Sequence, residues 1–445
     1  MLFAVFALYR SANKPDVVSF VVSRPGVLFL LTFLVCLLSI AGIVWKVVSI
    51  RQAKSGPILP TVALNFVTLC AFFALAELTV RSSVSEAQTI KTIGSMPLLP
   101  RIWEETAARY SEIANRISDY ETLFVGDDML GWTVGPGRRS KDGLILGSAE
   151  GIRSPIAGIT LANNPAACRI ALVGDSFTLH EEVNFEASWG YQLEGLLPAG
   201  CQVLNFGVSY YGIGQMYLRY MRDARPRHPD VVIVGLTYNV EFRTMALYGV
   251  LAWPDFPVPW AQPHFVLKDK RIEAINLPLP STEQMFSVAS ITELPFIEYD
   301  WNYKQTQWDL PRWRPLYYSY LFRLMISLVP LWEAPREATF VETLRSTNRE
   351  ILRAFVREVS SSGSIPIVVY MPREADYSNP GGADPVIKEI LRDAGIEFTD
   401  LTPCLGKLNA SERFLKSGND PHYSPQGAIA LAQCLRQTVI PQLSE

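Results

Sequence analysis

One serine stands out as a residue whose surroundings could support chemistry. Ser176 closes the run Cys168-Arg-Ile-Ala-Leu-Val-Gly-Asp-Ser176, in which a short aliphatic stretch stops at Gly-Asp-Ser before a helix-like segment. A serine hydroxyl is a weak nucleophile unless a general base, normally histidine, removes its proton and a third group orients that base. The pattern therefore predicts a nucleophile at Ser176, provided that a histidine reaches it.

The chain contains only four histidines, so each can be weighed as the base. Three are poorly placed, because they lie along the helix after the serine, before a strand, or in an irregular insertion: His180, His228 and His264. His422 remains, in the turn Asp420-Pro-His422 before the last predicted helix. Asp420 is spaced so that its carboxylate reaches one ring nitrogen while the other faces the serine. We therefore expect a triad of Ser176, His422 and Asp420.

Acyl transfer also requires hydrogen-bond donors for the developing oxyanion. Gly207 follows the second predicted strand and would present its backbone N–H, because glycine lets the backbone approach closely. Asn239 follows the third predicted strand and offers a side-chain amide. Serine, glycine, asparagine and histidine thus come in chain order after successive strands.

These residues need a scaffold that brings strand ends together. From Arg169 onward, apolar runs alternate with helix-like segments, which is typical of a parallel sheet covered on both faces. The predicted strands are Arg169–Val173, Gln202–Asn205, Val231–Leu236, Ile365–Tyr370 and Glu397–Leu401. The predicted helices are Phe185–Leu196, Ile213–Asp223, Glu342–Ser360, Pro385–Asp393 and Pro425–Gln437. The expected fold class is α/β, a flavodoxin-like three-layer α/β/α domain with a five-stranded parallel sheet, in which ligands bind at the carboxyl ends of strands.

A proline- and aromatic-rich segment at about 241–340 interrupts this alternation. A segment this long and irregular inside a compact domain is usually a functional insertion such as a lid or substrate platform. The alternative is that its aromatic residues build a small auxiliary core. The sequence leaves both interpretations open.

Two uncharged apolar runs precede the domain, at 26–45 and 55–76. Each is long enough to span a bilayer, and the predicted spanning helices are at about 26–48 and 57–80. A cleaved signal peptide is the alternative for the first run. We expect a membrane anchor at 1–81, a stalk and approach segment at 82–165, and the catalytic domain at 166–445. The connector carries Lys46, Arg51 and Lys54, which favours a cytoplasmic turn, but basic residues before the first run leave the orientation open.

Cysteine placement bears on the compartment. Cys168 and Cys201 each immediately precede a predicted strand, so a disulfide between them is geometrically feasible if the strands are neighbours. Cys404 and Cys434 could pair near the C-terminus, which would suit an oxidising compartment. Four ordinary buried thiols are the alternative.

The formal net charge of −3 argues against a nucleic-acid partner. Four scattered histidines and the absence of a Cys-x-x-Cys motif predict no metal site and no cofactor. A phosphate-binding protein of flavodoxin-like topology is a weaker alternative, because the chain lacks a glycine-rich loop of the nucleotide type.

Together these motifs resemble the four sequence blocks of the SGNH hydrolases, also called GDSL esterases. The similarity covers roughly 127–437 and includes Leu130-Gly-Trp132 and Gly151-Ile-Arg153, which look like the approach segment of bacterial members. The resemblance implies an acyl-enzyme mechanism with Ser176 as nucleophile, His422 as base, Asp420 as its orienting residue, and Gly207 and Asn239 as oxyanion donors.

The chain departs from the family pattern at several positions. Phe177 stands where many members have leucine. In the third block Thr237 stands where the family has glycine and Val240 where it has aspartate, so only Asn239 matches. Asn419 stands where most members have the aspartate that precedes the histidine. The shorter Asp-x-His spacing is similar to that of proteins that O-acetylate envelope polysaccharides such as alginate.

The resemblance implies a membrane-anchored esterase or O-acyltransferase acting on ester-linked acyl groups, acetyl above all, of an envelope glycan or lipid. Its location would be the bacterial inner membrane, with the catalytic domain periplasmic. The competing hypothesis is a non-catalytic glycan-binding or assembly subunit that partners a membrane-bound acyltransferase.

Overall fold

The computed structural model describes most of the chain beyond the first apolar run. The described residues are 42, 58–87, 90–94, 96–109, 123–161, 166–252, 259–269, 271–303, 306–330, 337–378, 384–416 and 421–443. The spanning helix predicted at 26–48 therefore lies outside the described residues except for residue 42. Asp420, the predicted partner of His422, also lies outside them.

An apolar helix and a small antiparallel sheet come first. They are α1 (Ile58–Ser82), β1 (Ser85–Ala87), β2 (Ile90–Ile93) and β3 (Met96–Pro97). In α1, Asn65–Ser82 is the one described segment long and apolar enough to cross a membrane, with a mean hydropathy of 1.2. Phe66, Val67 and Leu78 on this helix are 64%, 63% and 63% exposed, so the described part of the domain leaves them uncovered.

Four short strands follow in the approach segment, which contains none of the five predicted strands. They are β4 (Phe124–Asp127), β5 (Gly131–Val134), β6 (Leu146–Gly147) and β7 (Arg153–Ser154). The first two form an antiparallel hairpin. The other two join the edge of the main sheet, where Arg153 pairs with Asn205.

A mixed sheet of seven strands forms the centre of the domain, in the order β14-β13-β10-β8-β9-β7-β6. The strands from residue 168 onward are β8 (Cys168–Gly174), β9 (Cys201–Asn205), β10 (Val231–Leu236), β11 (Phe265–Lys268), β12 (Arg271–Ala274), β13 (Ile365–Tyr370) and β14 (Phe398–Asp400). The five predicted strands form its parallel part. The expectation of a sheet with five strands is corrected, because β6 and β7 extend its edge in antiparallel orientation. Strands of two residues are too short to show the alternation by which a strand is recognised.

The helices that follow cover both faces of the sheet or belong to the insertion. They are α2 (Ser176–Leu179), α3 (Trp189–Glu194), α4 (Ile213–Arg219), α5 (Val240–Arg243), α6 (Gly249–Ala252), α7 (Thr282–Ser287), α8 (Tyr320–Leu328), α9 (Glu337–Ser361), α10 (Ala375–Ser378), α11 (Val386–Ala394), α12 (Thr402–Gly406), α13 (Ala410–Arg413) and α14 (Pro425–Gln442). The helix predicted to end at Asp223 changes after Arg219 into a π-helix at Tyr220–Ala224.

Successive residues of β8 face opposite sides of the sheet, as the two-residue period of a strand requires. Ala171 and Val173 belong to the core that includes α4 and α9. Ile170 and Leu172 belong to the core that includes α3 and α14. All four side chains are almost completely buried, which is why this strand is continuously apolar in sequence.

The insertion builds a separate hydrophobic core, which favours the auxiliary-core interpretation over the lid. Leu247, Tyr248, Leu251 and Met285 are buried together there. Trp103 from the approach segment joins them and donates its indole N–H to the Met285 carbonyl at 3.2 Å.

The last helix of the insertion packs on α1 instead of on the auxiliary core. Ala76 and Val80 of α1 contact the hydrophobic side of α8. The Glu77 carboxylate accepts the backbone N–H groups of Tyr320 at 3.0 Å and Leu321 at 2.9 Å, so it caps the α8 N-terminus. The insertion is therefore fastened to the apolar helix.

Two disulfides join the four cysteines of the domain. Cys168 and Cys201 are paired residues at the starts of the adjacent strands β8 and β9, with their Cα atoms 4.4 Å apart. Cys404 on α12 is bonded to Cys434 on α14, with a Cα separation of 6.3 Å.

Candidate active site

Ser176 lies at the first position of α2, directly beyond the carboxyl end of β8. Asp175 precedes it as the helix cap, and its Oδ1 accepts the Phe177 N–H at 3.0 Å. Gly174 has no room for a side chain, because an added Cβ would lie 2.0 Å from Thr178 Oγ1 and 2.8 Å from the Gly235 carbonyl oxygen. The Gly-Asp-Ser sequence therefore makes a tight strand-to-helix turn, with a half-buried serine at the positive end of the helix.

Asp175 also ties this turn to the next strand of the sheet. Its Oδ2 accepts the Thr237 hydroxyl at 2.7 Å and the Arg243 guanidinium at 2.8 Å. The Asp175 side chain is completely buried, so its charge depends on these partners. Thr237 replaces a glycine of the family pattern, and here it is a direct support of the serine turn.

Arg153 holds the other end of α2. Its guanidinium donates to the carbonyl oxygens of Leu179, His180 and Val183, the last at 2.6 Å. These carbonyl groups follow the last turn of α2, where a helix leaves acceptors without partners. Burial lowers the pKa of Arg153 to about 9, against the opposing effect of Glu181 and Glu186. The Gly151-Ile-Arg153 motif thus positions the segment that carries Ser176.

His422 is bound at one nitrogen and free at the other. Its Nδ1 lies 2.7 Å from Glu182 Oε2, and its backbone N–H donates to the same oxygen at 3.0 Å. Because a carboxylate only accepts hydrogen bonds, Nδ1 carries the proton in the neutral ring, and Nε2 is left as an acceptor. Nε2 is buried and has no hydrogen-bond partner among the described residues.

The imidazole of His422 lies beside the serine turn. Its ring centroid is 4.7 Å from that of Phe177, the residue after Ser176. The structure thus brings together two residues that are far apart in sequence, at the sheet edge where the sequence predicts them. Ser176 and Nε2 are not hydrogen-bonded in this structure. Such bonds are often long without substrate and tighten when it binds.

The acid on Nδ1 is Glu182, where the sequence analysis expects Asp420. Residues 417–420 lie outside the described part of the chain, so the structure assigns Asp420 no contact. Glu182 was missed because the acid was sought next to the histidine in sequence. A usable signal was present, since Glu181 and Glu182 follow Ser176 within six residues.

Glu181 approaches the free side of the imidazole. Its Oε1 lies 3.9 Å from His422 Nε2, and its Oε2 accepts the Ser209 hydroxyl. Burial by itself lowers the pKa of His422. The hydrogen bond to Glu182 and the charges of Glu181 and Glu182 outweigh burial, so the pKa is raised above its ordinary value.

His180 is a structural residue, as its sequence position suggests. The ring is completely buried, with Nε2 2.8 Å from the Tyr423 carbonyl oxygen, and Nδ1 accepts the Trp189 N–H at 3.3 Å. Both nitrogens are therefore occupied. Burial lowers the pKa of His180 to about 3, so the ring is neutral near pH 7. The bond to Tyr423 links the end of α2 to the turn that carries His422.

The two predicted oxyanion donors, Asn239 and Gly207, differ in whether they already donate a hydrogen bond. Asn239 has a left-handed backbone, with φ of 71°, and its amide makes no hydrogen bond to any described residue. The Gly207 N–H donates to Asn205 Oδ1 at 2.9 Å. An added Cβ on Gly207 would lie 2.4 Å from Leu179 N, so glycine is required there for close packing on α2. Its predicted role as a donor would require the Asn205 bond to be shared or released.

Within the described residues, no group of three or more His, Cys, Asp or Glu side chains is placed to hold a metal ion. The polar groups at the site are thus a serine, a histidine with two carboxylates, and an amide. This set can support nucleophilic attack, proton transfer and stabilisation of an oxyanion.

Several solved structures are similar to this chain. A lipolytic protein of the G-D-S-L family from Desulfitobacterium hafniense is 15% identical to this chain in sequence. The alignment covers 61% of this chain and 99% of that protein, with a TM-score of 0.31. An acetylxylan esterase from Geobacillus stearothermophilus is 14% identical. That alignment covers 63% of this chain and 96% of the esterase, with a TM-score of 0.31. A third, the acetyl xylan esterase AlAXEase, has 12% identity, with 61% and 100% covered and a TM-score of 0.31. No protein-family model matches the sequence, and no curated protein matches it.

Proposed function

We propose that this chain is a membrane-anchored serine esterase or O-acyltransferase of the SGNH type. Its substrates would be ester-linked acyl groups, acetyl above all, on an envelope glycan or lipid. The observation that carries the proposal is the state of His422. One ring nitrogen is held by Glu182, the other is buried without a partner, and the ring packs against the residue that follows Ser176.

Acylation would begin when Ser176 Oγ attacks the acyl carbon of the ester. His422 Nε2 takes the hydroxyl proton, and the resulting imidazolium is stabilised by Glu182. The oxyanion would be stabilised by the Asn239 amide and by the N-terminal backbone of α2. The imidazolium then returns its proton to the departing alcohol, which leaves an acyl group on Ser176.

The second half of the reaction decides between the two activities. The oxygen of the attacking water or sugar hydroxyl would bond to the acyl carbon while Nε2 takes its proton, and the imidazolium would return that proton to Ser176 Oγ as the acyl–serine bond breaks. If water attacks, the protein is an esterase. If a sugar hydroxyl attacks, it is a transferase, which requires water to be excluded from the site.

The membrane anchor in this proposal is supported by α1. Its apolar length and its uncovered Phe66, Val67 and Leu78 suit contact with lipid tails. The two disulfides suit an oxidising compartment outside the cytoplasm. We therefore place the catalytic domain on the periplasmic side of a bacterial inner membrane.

The test is labelling of the full chain with a fluorophosphonate probe, together with turnover of p-nitrophenyl acetate. We expect Ser176→Ala to abolish both, because in this proposal Ser176 Oγ is the atom that forms the covalent bond to the probe and to the acyl group. Ser361→Ala, an exposed serine at the end of α9, is the matched control and should behave as wild type. Equal labelling of Ser176→Ala and wild type would refute the nucleophile assignment.

Absence of labelling in the wild-type chain would instead favour the non-catalytic assembly or glycan-binding subunit. Mass spectrometry of envelope glycans from cells with and without the protein would identify the acyl group and the acceptor. Loss of acylation without the protein would indicate a transferase, and its increase an esterase.

A further inference from the structure

A second polar site lies away from Ser176, where α1, the small β1–β3 sheet and the insertion meet. It is a cavity of about 540 Å³. None of the residues that line it belongs to the candidate active site. Four basic side chains from different segments line its walls: Arg81, Lys91, Arg101 and Arg314.

Two of the four basic side chains already have acidic partners: Arg81 is paired with Glu77 of its own helix at 3.1 Å, and Lys91 is paired with Glu105 of the lining. Glu105 binds Lys91 at 2.7 Å and also the buried Arg323 at 3.1 Å. Asp309 accepts the backbone N–H of Thr306 at 2.6 Å and its hydroxyl at 2.9 Å. The third acid of the lining, Glu104, is exposed. The basic groups are thus only partly neutralised by the cavity itself.

Arg101 is the strongest indication of a missing partner. Its Nη1 is buried and has no hydrogen-bond partner among the described residues. Burial lowers the pKa of this guanidinium, and the charge of Asp300 opposes that effect. Asp300 is not a direct partner, because its oxygens accept the backbone N–H groups of Leu247, Tyr248 and Asn302. A buried guanidinium is most stable when a carboxylate or phosphate accepts from it.

The position of the cavity indicates the source of that anion. Arg81 lies in the last turn of α1 and lines the cavity. Leu75 and Leu78, one turn or more before it, are 54% and 63% exposed. If α1 crosses the membrane, its last turn lies at the level of the lipid headgroups. The cavity would then open where phosphate groups are concentrated.

Tyrosine side chains suit the same location. Tyr317 and Tyr320 line the cavity together with the exposed Tyr318. The Arg81 guanidinium lies 4.7 Å from the centre of the Tyr320 ring. Tyrosine is enriched at membrane interfaces because its ring is apolar and its hydroxyl is polar.

We propose that this cavity binds the phosphate of an anionic lipid headgroup, with Arg101 as the central contact and Arg314 at the rim. The inference rests on the membrane anchoring in the proposed function and is independent of the acyl chemistry. Bound lipid would fix the insertion, through α8 and Glu77, against the membrane surface.

The experiment is a titration of the full chain in detergent micelles with phosphatidylglycerol or phosphatidylcholine, followed by native mass spectrometry. We expect selective retention of phosphatidylglycerol by wild type. Arg101→Gln should weaken this binding by about tenfold or more, because a hydrogen bond to a charged group is lost. Arg312→Gln is the matched control, because Arg312 lies over the Trp313 ring and does not line the cavity.

The outcomes are separable. If the Arg101→Gln variant retains as much phosphatidylglycerol as the wild-type chain does, the proposed binding site is wrong. Displacement of the lipid by an equal concentration of inorganic phosphate would overturn the lipid as ligand. If near-ultraviolet circular dichroism shows that Arg101→Gln is misfolded, Arg314→Gln replaces it, and unchanged binding by that variant would overturn the site. Failure of the wild-type chain to float with lipid vesicles would refute the anchor itself, whatever the result of fluorophosphonate labelling.

Discussion

His422 has two carboxylates close to it, and their positions give them different roles. Glu182 accepts from Nδ1 and fixes the tautomer in which Nε2 is the base. Glu181 lies 3.9 Å from Nε2, on the side from which a substrate proton must arrive. Because both charges favour the imidazolium, the pKa of His422 is raised even though burial opposes it. The base is therefore stronger than an ordinary histidine but is neutral only at higher pH.

Replacing Glu182 by glutamine tests this arrangement. The proposed base acts when its ring is neutral, so kcat/KM should rise as the pH increases through the pKa of His422. Because that pKa is raised, we expect the midpoint of this rise to lie above the ordinary histidine value of 6.5. Glu182→Gln removes the charge, which lowers that pKa and moves the midpoint to lower pH. We also expect kcat to fall by about 10²-fold or more.

Asp420→Asn is the control for Glu182→Gln. The Asp420→Asn variant should keep the pH dependence of kcat/KM and the value of kcat close to those of the wild-type chain. If Asp420→Asn gives the larger loss and Glu182→Gln does not, the orienting residue is Asp420, as the sequence spacing suggests.

Asn239 offers a second test at the scale of one side chain. Its amide is without a partner in the described residues, which suits a donor reserved for the oxyanion. Asn239→Ala should lower kcat by about 10²–10³-fold with little change in KM. The left-handed backbone complicates the interpretation of the alanine variant, because alanine at positive φ is strained by about 1–2 kcal/mol.

Asn239→Gly is therefore the matched variant, because glycine adopts that backbone without strain. An equal loss of kcat in both variants assigns the effect to the amide. A glycine variant with wild-type kcat would remove Asn239 from the oxyanion site.

At the scale of elements, α2 is too short to be stable alone. Helices of about four residues depend on tertiary contacts, because helix nucleation is unfavourable. Asp175 caps the start of α2 and joins it to Thr237, directly after β10, and to Arg243 of α5. Arg153 from β7 binds the carbonyl groups beyond its end. The unpredicted edge strand β7 thus supplies a main support of the segment that carries Ser176.

Arg153→Met should destabilise the chain by about 3 kcal/mol, because each buried carbonyl group left without a donor costs about 1–3 kcal/mol. The measurement is urea unfolding of the full chain in micelles, followed by tryptophan fluorescence. Arg138→Met, at an exposed position of the same segment, should change stability by less than about 0.5 kcal/mol. Equal stabilities for the two variants would show that the Arg153 contacts do not support the fold.

At the scale of the whole molecule, the two disulfides and the apolar helix α1 both support the proposed location outside the cytoplasm. The disulfides lie at the start of the central sheet and between α12 and α14, while α1 precedes the domain. An oxidising compartment is the setting in which disulfides persist. Both features therefore support the proposed location of the domain in the cell envelope.

Thiol alkylation of the chain taken directly from cells tests that placement. We expect Cys168, Cys201, Cys404 and Cys434 to resist a maleimide reagent until a reductant is added. Cys70, an exposed free thiol on α1, should react in detergent without reduction and is the internal control. Reaction of all four domain cysteines before reduction would place the domain in a reducing compartment.

Much of the fold was predictable from local patterns. Three of the five parallel strands, β8, β10 and β13, are largely apolar because most of their residues are buried. The observed bounds of all five strands differ from the predicted ones by at most one residue. Helix starts were less predictable. The sequence predicts Asp384 and Ser424 as caps, each followed by a proline in the first helical turn. Ser424 does cap α14, whereas α11 begins at Val386 with Pro385 in the cap position. Proline φ is compatible with either position, so the chain alone does not distinguish them.

The sequence by itself indicated the turn that carries Ser176, because Gly174-Asp-Ser176 stands between an apolar run that predicts a strand and a helix-like segment. It also indicated His422, by elimination among four histidines. Only the tertiary structure decided the partner of His422, the supporting role of Arg153 and the cationic cavity beside α1. The physical reason is that each of these depends on side chains from segments far apart in the chain. Glu182 and His422 are separated by 240 residues, and no local pattern records that they meet.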